Sequence, residues 1–364
     1  MTIADSTQSS SSELALPTRI DPALRSELNS LLKQVSRSFY LTLRVLPREV
    51  RSQIGLAYLL ARATDTVADT AIVPVADRLA TLAALRDRIA GTSSQQINLS
   101  LFGSEPRAGA STRAASAGER IVLARIEQFI AALKQFAASD RALIAQVLSV
   151  IISGQELDLR RFAGASAEKV VALRTQEELD DYTYRVAGCV GEFWTRICRS
   201  HLFPKDSIDE GSLLQKGVRF GKGLQLVNVL RDLPADLREG RCYVPQERLE
   251  ALGLSPADLL KVDSFGAFRP LYIDLIALAE SHLEAGWEYT NSIPHRLRRV
   301  RLACAWPVLI GVATLAKLRR FNVLDGSMRV KVSRPEVRRT IFRTIIGSFA
   351  PQIWSRLFAD AKLV

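Results

Sequence analysis

Histidine is scarce in this chain, with 3 residues in 364, and His201, His282 and His295 form no HExxH pair. Cysteine is nearly as scarce. Cys189, Cys198, Cys242 and Cys304 show no CxxC spacing. Structural zinc and a disulfide framework are therefore both disfavoured, and a reducing compartment fits. A Ser-His-Asp site has little to draw on. β-rich runs bounded by turn dipeptides are few, which argues against a sheet protein. No basic run alternates with aromatic residues, so the nucleic-acid footprint is weak and nucleic acid is not an expected partner. No GxGxxG occurs, which removes a Rossmann site. The first residues, MTIADSTQSSSSELALP, are Ser-rich and lack the apolar stretch of a signal peptide. The most apolar run, 301–318, holds Pro307 and falls short of the ~20 apolar residues that a membrane span needs, so a buried helix is expected there.

What is present points to helices. Apolar residues make up 48% of the chain, and Ala, Leu, Arg and Glu dominate. Apolar positions at helical spacing predict helices over 22–36, 48–71, 76–90, 119–138, 140–162, 176–199, 208–233, 268–291, 295–320 and 334–358. The fold class read from this is all-α, as one domain over 19–364 after a loose tail at 1–18. The segment 91–118, rich in Ser, Gly and Ala, reads as a long flexible loop. The net charge of +11 suits anionic partners such as an anionic lipid surface or a phosphorylated small molecule.

Two acidic pairs stand out. YLLARATDTVAD places Asp65 and Asp69 four residues apart in a segment otherwise fit for burial. LQLVNVLRDLPADLREG repeats the spacing at Asp232 and Asp236. Residues i and i+4 share a helix face, so each pair presents two carboxylates together. Pro234 falls inside the second pair and predicts that its helix is ending there. Like charges this close stay ionised cheaply only beside a cation or arginine. Arg62 precedes Asp65 by three residues, and Arg231 abuts Asp232. Gln225, Asn228 and Asp232 form a polar stripe on a helix of Leu and Val. Oxygen-only ligands of this kind suit Mg²⁺, which bridges readily to substrate phosphates. The plain alternative is a solvated helix face. For Gly188 and Gly191 two compatible readings stand: close helix packing, or room for a substrate chain beside Val186 and Val190.

Four stretches resemble, in order, the head-to-head prenyl synthases of the squalene and phytoene synthase family. They are SRSFYLTLRVLP (36–47), YLLARATDTVAD (58–69), YTYRVAGCVG (182–191) and LQLVNVLRDLPADLREGRCYVP (224–245). The likeness covers about 35–340. Thr183 replaces the Cys of the family's third motif, and the first motif lacks additional acids that some members carry. The resemblance implies a helical bundle with a central apolar cavity and the two acidic pairs at its mouth. It implies Asp65, Asp69, Asp232 and Asp236 as Mg²⁺ and diphosphate ligands. Arg37, Arg62, Arg231 and Arg241 then lie near the diphosphates, with Gln225 and Asn228 in the second motif. Tyr58 and Tyr182 lie near the reacting carbons. Phe39 and Leu43, four apart, either line the same tunnel, as Val186 and Val190 would, or are plain core.

The stretch 296–337 resembles squalene synthases in particular, through Cys304, Pro307 and the basic RVKVSR. That likeness links Arg329 and Lys331 to the phosphate of NADPH. It implies condensation of two farnesyl diphosphates to presqualene diphosphate and NADPH-dependent reduction to squalene. The alternatives are a synthase stopping at presqualene diphosphate, a dehydrosqualene or phytoene synthase, and two non-enzyme readings: an inactive assembly factor or a lipid-surface binding protein. Greasy substrates and a basic chain imply peripheral membrane association of a cytoplasmic protein.

Overall fold

The computed structural model describes residues 22–35, 39–103, 116–327 and 330–363. The expected tail at 1–18 lies outside them. In chain order the helices are α1 (Pro22–Val35), α2 (Phe39–Val45), α3 (Arg48–Asp69), α4 (Val75–Ala90), α5 (Ala117–Ala124), α6 (Ile126–Leu133) and α7 (Ala138–Arg161). They continue as α8 (Gln176–Thr183), α9 (Cys189–Leu202), α10 (Glu210–Arg238), α11 (Gln246–Glu250), α12 (Phe265–Ser292), α13 (Arg298–Leu318), α14 (Arg334–Gly347) and α15 (Pro351–Ala361). A π-helical turn, Tyr184–Gly188, joins α8 to α9. Two two-residue strands, β1 (Val171–Ala172) and β2 (Arg241–Cys242), pair in parallel with Val171 opposite Arg241.

Among the described residues, two large apolar cores organise the helices, and a smaller third gathers around Phe203 and Tyr289. The first gathers α3, α4, α5, α6, α7 and α9 around Leu56, Leu60, Leu82, Phe129 and Ile152. The second gathers α10, α12, α13 and α15 around Leu226, Leu230, Phe268, Leu283 and Leu309. α10 packs along α12, and α9 with its π turn packs on α10. α3 and α10, the carriers of the acidic pairs, thus belong to different cores. The apolar run at 301–318 is α13, a mostly buried core helix as expected.

Several boundaries differ from the sequence reading. The single helix expected over 119–138 breaks at Arg125. The one expected over 334–358 is two, because Pro351 opens a new helix after the Gly347 turn. The 91–118 loop is not loose throughout. Phe102 is fully buried, and Ile97 and Leu99 pack on the first core; 104–115 lie outside the described residues. Helix α5 then restarts with a capping box in which Ser116 and Glu119 exchange bonds.

Gly188 and Gly191 are resolved in favour of packing. A Cβ on Gly191 would strike the Gly217 backbone carbonyl, and one on Gly188 would meet Tyr184, Lys222 and Val218. Gly221 is equally tight against the Ala187 carbonyl. Gly221→Ala is therefore expected to destabilise the fold by about 2 kcal/mol, the scale of overpacking, despite the better helix propensity of alanine. Urea unfolding would measure it; an unchanged midpoint would mean that α9 and α10 can part freely.

Candidate active site

Along α3, Tyr58, Arg62, Asp65 and Asp69 fall at helical spacing toward one end of the bundle. Gln155 Nε2 donates to Asp65 Oδ1 at 2.9 Å, and Arg62 Nη1 approaches Oδ2 at 3.4 Å. Arg62 also bonds Glu119 of α5. The Tyr58 hydroxyl lies 3.4 Å from the Val35 carbonyl, and burial holds its proton on above the usual range.

The second pair sits in the last two turns of α10. The expected end at Pro234 is wrong: the helix continues to Arg238. Proline removes the amide that would bond the Leu230 carbonyl. That carbonyl instead accepts the Tyr272 hydroxyl at 3.2 Å, so a tertiary donor replaces the lost helical one. Asp232 is gripped by Arg231, with Nε to Oδ1 at 2.9 Å and Nη2 to Oδ2 at 2.5 Å. Asp236 lies 3.8 Å from Arg241 Nη2, and Arg241 also pairs with Glu239.

One acid of each pair, Asp69 and Asp236, acts electrostatically with Asp158 of α7. Burial pushes the Asp158 carboxyl up to about 6, against the Tyr243 hydrogen bond, Arg161 and Arg241, with the Asp69 charge adding to the rise. Asp236 is pushed up to about 7, by burial first; Arg241 opposes, while Asp232, Glu239 and Asp158 add to it. Asp69 also acts on Arg78 and Arg241. Asp69, Asp158 and Asp236, from α3, α7 and α10, therefore sense one another around Arg241. Asp158 Oδ1 is buried with no hydrogen-bond partner, since Arg161 stands 3.7 Å away, too far for one. The Gln155 Oε1 atom is likewise buried and unpartnered. Among the described residues, no three His, Cys, Asp or Glu side chains converge closely enough to hold a bare metal ion.

An aromatic wall adjoins the acids. Tyr182 and Tyr243 stack at 4.4 Å between ring centres, and Phe162 meets Tyr243 edge-on at 5.4 Å. Tyr243 OH donates to Asp158 Oδ2 at 3.0 Å. Gln225 Nε2 donates to the Tyr182 oxygen at 3.2 Å, and Asn228 backs Gln225 at 3.4 Å. Burial, with Asp158 next in weight, keeps Tyr182 protonated well beyond the normal range. Val186 is half-buried against the second core, and Val190 is 37% exposed. Leu43 is buried in the first core.

Arg37 and Arg329 lie outside the described residues, and Phe39 is described only as the first residue of α2. Lys331 is exposed, and its carbonyl accepts Lys317 Nζ at 3.3 Å. It precedes Val332, which lines a cavity of about 660 Å³ with Leu309, Arg339, Thr340 and Arg343.

Sequence reasoning missed Gln155, Asp158, Arg78 and Tyr243. The signal for the first two was the switch in α7 from VLSVIISG to QELDLRR, where Gln155 and Asp158 follow the i, i+3 rule. Tyr243 stood inside a quoted motif.

The sequence profile of the squalene/phytoene synthase family matches residues 32–336. The chain belongs to this family. Presqualene diphosphate synthase of Rhodopseudomonas palustris is 27% identical over 71% of this chain and 76% of its own length. Squalene synthase of Saccharomyces cerevisiae is 25% identical over 83% of this chain and 63% of its own. A bifunctional lycopene cyclase/phytoene synthase of Pyrenophora tritici-repentis is 27% identical over 83% of this chain; this chain spans 48% of it. Among solved structures, TcSQS in complex with a ligand superposes with a TM-score of 0.75 at 23% identity, covering 94% of this chain and 90% of that one. A dehydrosqualene synthase in complex with ligand gives 0.60 at 19%, covering 94% and 98%. These likenesses show the all-α fold of squalene synthases. Within the squalene/phytoene synthase family, this chain is a prenyltransferase of the squalene synthase type, a class that joins prenyl groups head to head.

Proposed function

We propose that this chain condenses two farnesyl diphosphates to presqualene diphosphate with Mg²⁺, and then reduces that product to squalene with NADPH. The observation that carries the first half is the meeting of Asp69 and Asp236, from separate cores, around Asp158 and Arg241. The donor set fits Mg²⁺. It is oxygen-only, it leaves a buried Asp158 oxygen without a hydrogen bond, and burial raises the Asp158 and Asp236 carboxyls despite the arginines beside them. That no three ligands enclose a bare ion agrees with an ion held by one or two carboxylates and substrate phosphate. Asp65 and Asp69 on one side, and Asp232 and Asp236 on the other, would each hold such an ion through the substrate phosphates. Bound there, Mg²⁺ supplies charge neutralisation for a departing diphosphate.

The chain's own groups do the rest. Arg62, Arg231 and Arg241 are fixed cations beside the acids and orient the diphosphates. The stacked faces of Tyr182 and Tyr243 shelter and stabilise an allylic cation. The Tyr182 hydroxyl, held by Gln225, stays neutral and serves as a proton relay point. The apolar helices around it keep water from the cation.

The reducing half rests on the resemblance of 296–337 and on Lys331, next to a cavity lined by Arg339 and Arg343 together with Glu336 and Asp360, in which Arg343 is paired with Asp360. A second reading, a synthase that stops at presqualene diphosphate, is favoured by the relatives of that name in Rhodopseudomonas palustris and Sinorhizobium fredii. Purified protein with farnesyl diphosphate and Mg²⁺, with and without NADPH, separates them by lipid analysis. Squalene formed only with NADPH supports the full reading, and presqualene diphosphate under both conditions selects the second. If neither product forms, both readings fail. In the full reading, Arg329→Ala/Lys331→Ala raises the NADPH requirement and leaves condensation nearly untouched. Equal slowing of both half-reactions would make these residues structural.

A further inference from the structure

Helix α14 leaves a second apolar face open to solvent in its latter half. Phe342, Ile345 and Ile346 of α14, with Phe349 in the turn just after it, keep the i, i+3, i+4, i+7 spacing of an apolar face. Such a face normally packs on a core. Here Phe342 is 64% exposed and Phe349 68%, with Ile345 and Ile346 also open to solvent. The side turned inward carries Ile341, Thr344 and Gly347; Ile341 packs on the second core, Thr344 Oγ1 accepts from Trp306 Nε1 at 2.8 Å, and Gly347 lies against Trp354 and Leu357. The ridge continues onto α15 with Ile353, also exposed. Contiguous exposed apolar side chains of this size mark a contact surface.

Its rim is basic. Arg334, Arg338 and Arg339 are exposed on the first turns of the same helix, and Arg298 lays its guanidinium over the Phe349 ring at 4.3 Å. From 330 to 363 there are seven basic residues and two acidic ones. Both acids are already spent: Glu336 on Lys317 and Asp360 on Arg343. The surface presented outward is therefore apolar at the centre and positive around it. A protein partner of ordinary composition needs no such excess of one sign. A bilayer with anionic headgroups needs both halves, because aromatic and aliphatic side chains enter the acyl boundary while arginines pair with phosphate.

We propose that the face formed by Phe342, Ile345, Ile346, Phe349 and Ile353, with its arginine rim, docks this protein on anionic membrane. The inference is independent of which product the enzyme makes. The full chain is tested by co-sedimentation with phosphatidylglycerol vesicles and with phosphatidylcholine vesicles. Wild type is expected to bind the first in low salt, to bind the second far less, and to release as salt rises. Phe342→Ser/Phe349→Ser should weaken binding by about tenfold or more, since two rings leave the acyl boundary. Arg334→Glu/Arg338→Glu should weaken it by at least about fivefold for each charge lost. Condensing activity with soluble farnesyl diphosphate should stay at the wild-type level in both. Circular dichroism checks the fold, and the arginine variant carries the test if the phenylalanine variant does not fold. Wild type that ignores anionic vesicles, or variants that bind as wild type does, would overturn the proposal. So would a wild-type dimer that the phenylalanine variant converts to monomer, which would give the face to a second copy of the chain.

Discussion

Asp65→Asn and Asp232→Asn should each lower farnesyl diphosphate turnover by at least ~10²-fold while the helical fold persists, the scale of losing one electrostatic stabiliser at a developing charge. The two residues are chosen because neither supports the core. The Asp65 side chain is 51% exposed and the Asp232 side chain 42%. Asparagine keeps the shape of each and can still accept from Gln155 or Arg231. What it removes is a full negative charge where a hard cation and a diphosphate must be gathered. Screening would hide such a loss at an isolated surface carboxylate. Here α3, α7 and α10 enclose the inner acids Asp69, Asp158 and Asp236, so charge is poorly screened. Turnover within a few-fold of wild type in both variants would remove the acidic pairs from the chemistry. Chelating Mg²⁺ should abolish turnover without changing the thermal transition of the ligand-free protein, because the described fold is built without a metal cage.

The acidic pairs were legible because helical spacing is local. Residues four apart on a helix share a face, whatever packs around it. The course of α10 past Pro234 was not legible, because the group that rescues the freed Leu230 carbonyl, Tyr272, comes from α12, 42 positions along the chain. Asp158 escaped notice for a related reason. It is one acid in one helix, and its importance comes from Asp69 and Asp236, which only the tertiary fold brings near. The π turn at Tyr184–Gly188 has no periodic signature either; Gly191 and Gly221 show only that α9 and the turn lie backbone to backbone on α10. Composition did foretell the all-α fold, since helix formers and apolar periodicity are summed over many residues. The 91–118 segment shows the limit of composition. Its polar average masks Ile97, Leu99 and Phe102, three side chains that pin its first part to the core. In α14 the apolar spacing was visible, but spacing alone does not say whether a stripe faces a core or the solvent.

The same burial that brings the acids together has a cost that can be measured without substrate. The Asp236 carboxyl titrates at about 7 in the fold and near 3.8 when unfolded. A carboxyl raised in this way favours the folded state fully below its unfolded value, where both states hold the proton. That contribution is lost as pH rises toward the folded value, because the unfolded chain ionises first. Asp236→Asn keeps the neutral form at every pH. Its stability relative to wild type should therefore be near zero at about pH 4, grow through pH 5 and 6, and level off above about pH 7. Each tenfold difference in acidity is worth ~1.4 kcal/mol, which sets a ceiling of ~4 kcal/mol on the gain. Loss of the 3.8 Å approach of Arg241 reduces it. Taking wild type and variant as a difference cancels groups that titrate the other way, such as Glu336, whose bonds to Lys317 and Ser333 hold it down to about 2. Urea melts of both proteins at pH 4, 5, 6 and 7.5, without metal, would trace the curve. With Mg²⁺ and inorganic diphosphate added at pH 7.5, wild type should recover stability and the variant should not, since only wild type regains a cation for its charge. A variant that is inactive yet more stable than wild type at neutral pH would mark Asp236 as a residue kept for chemistry against the preference of the fold. A variant less stable than wild type across the whole range would mean that Asp236 serves the fold through Arg241, and the reading of this acid as a ligand-side group would be lost.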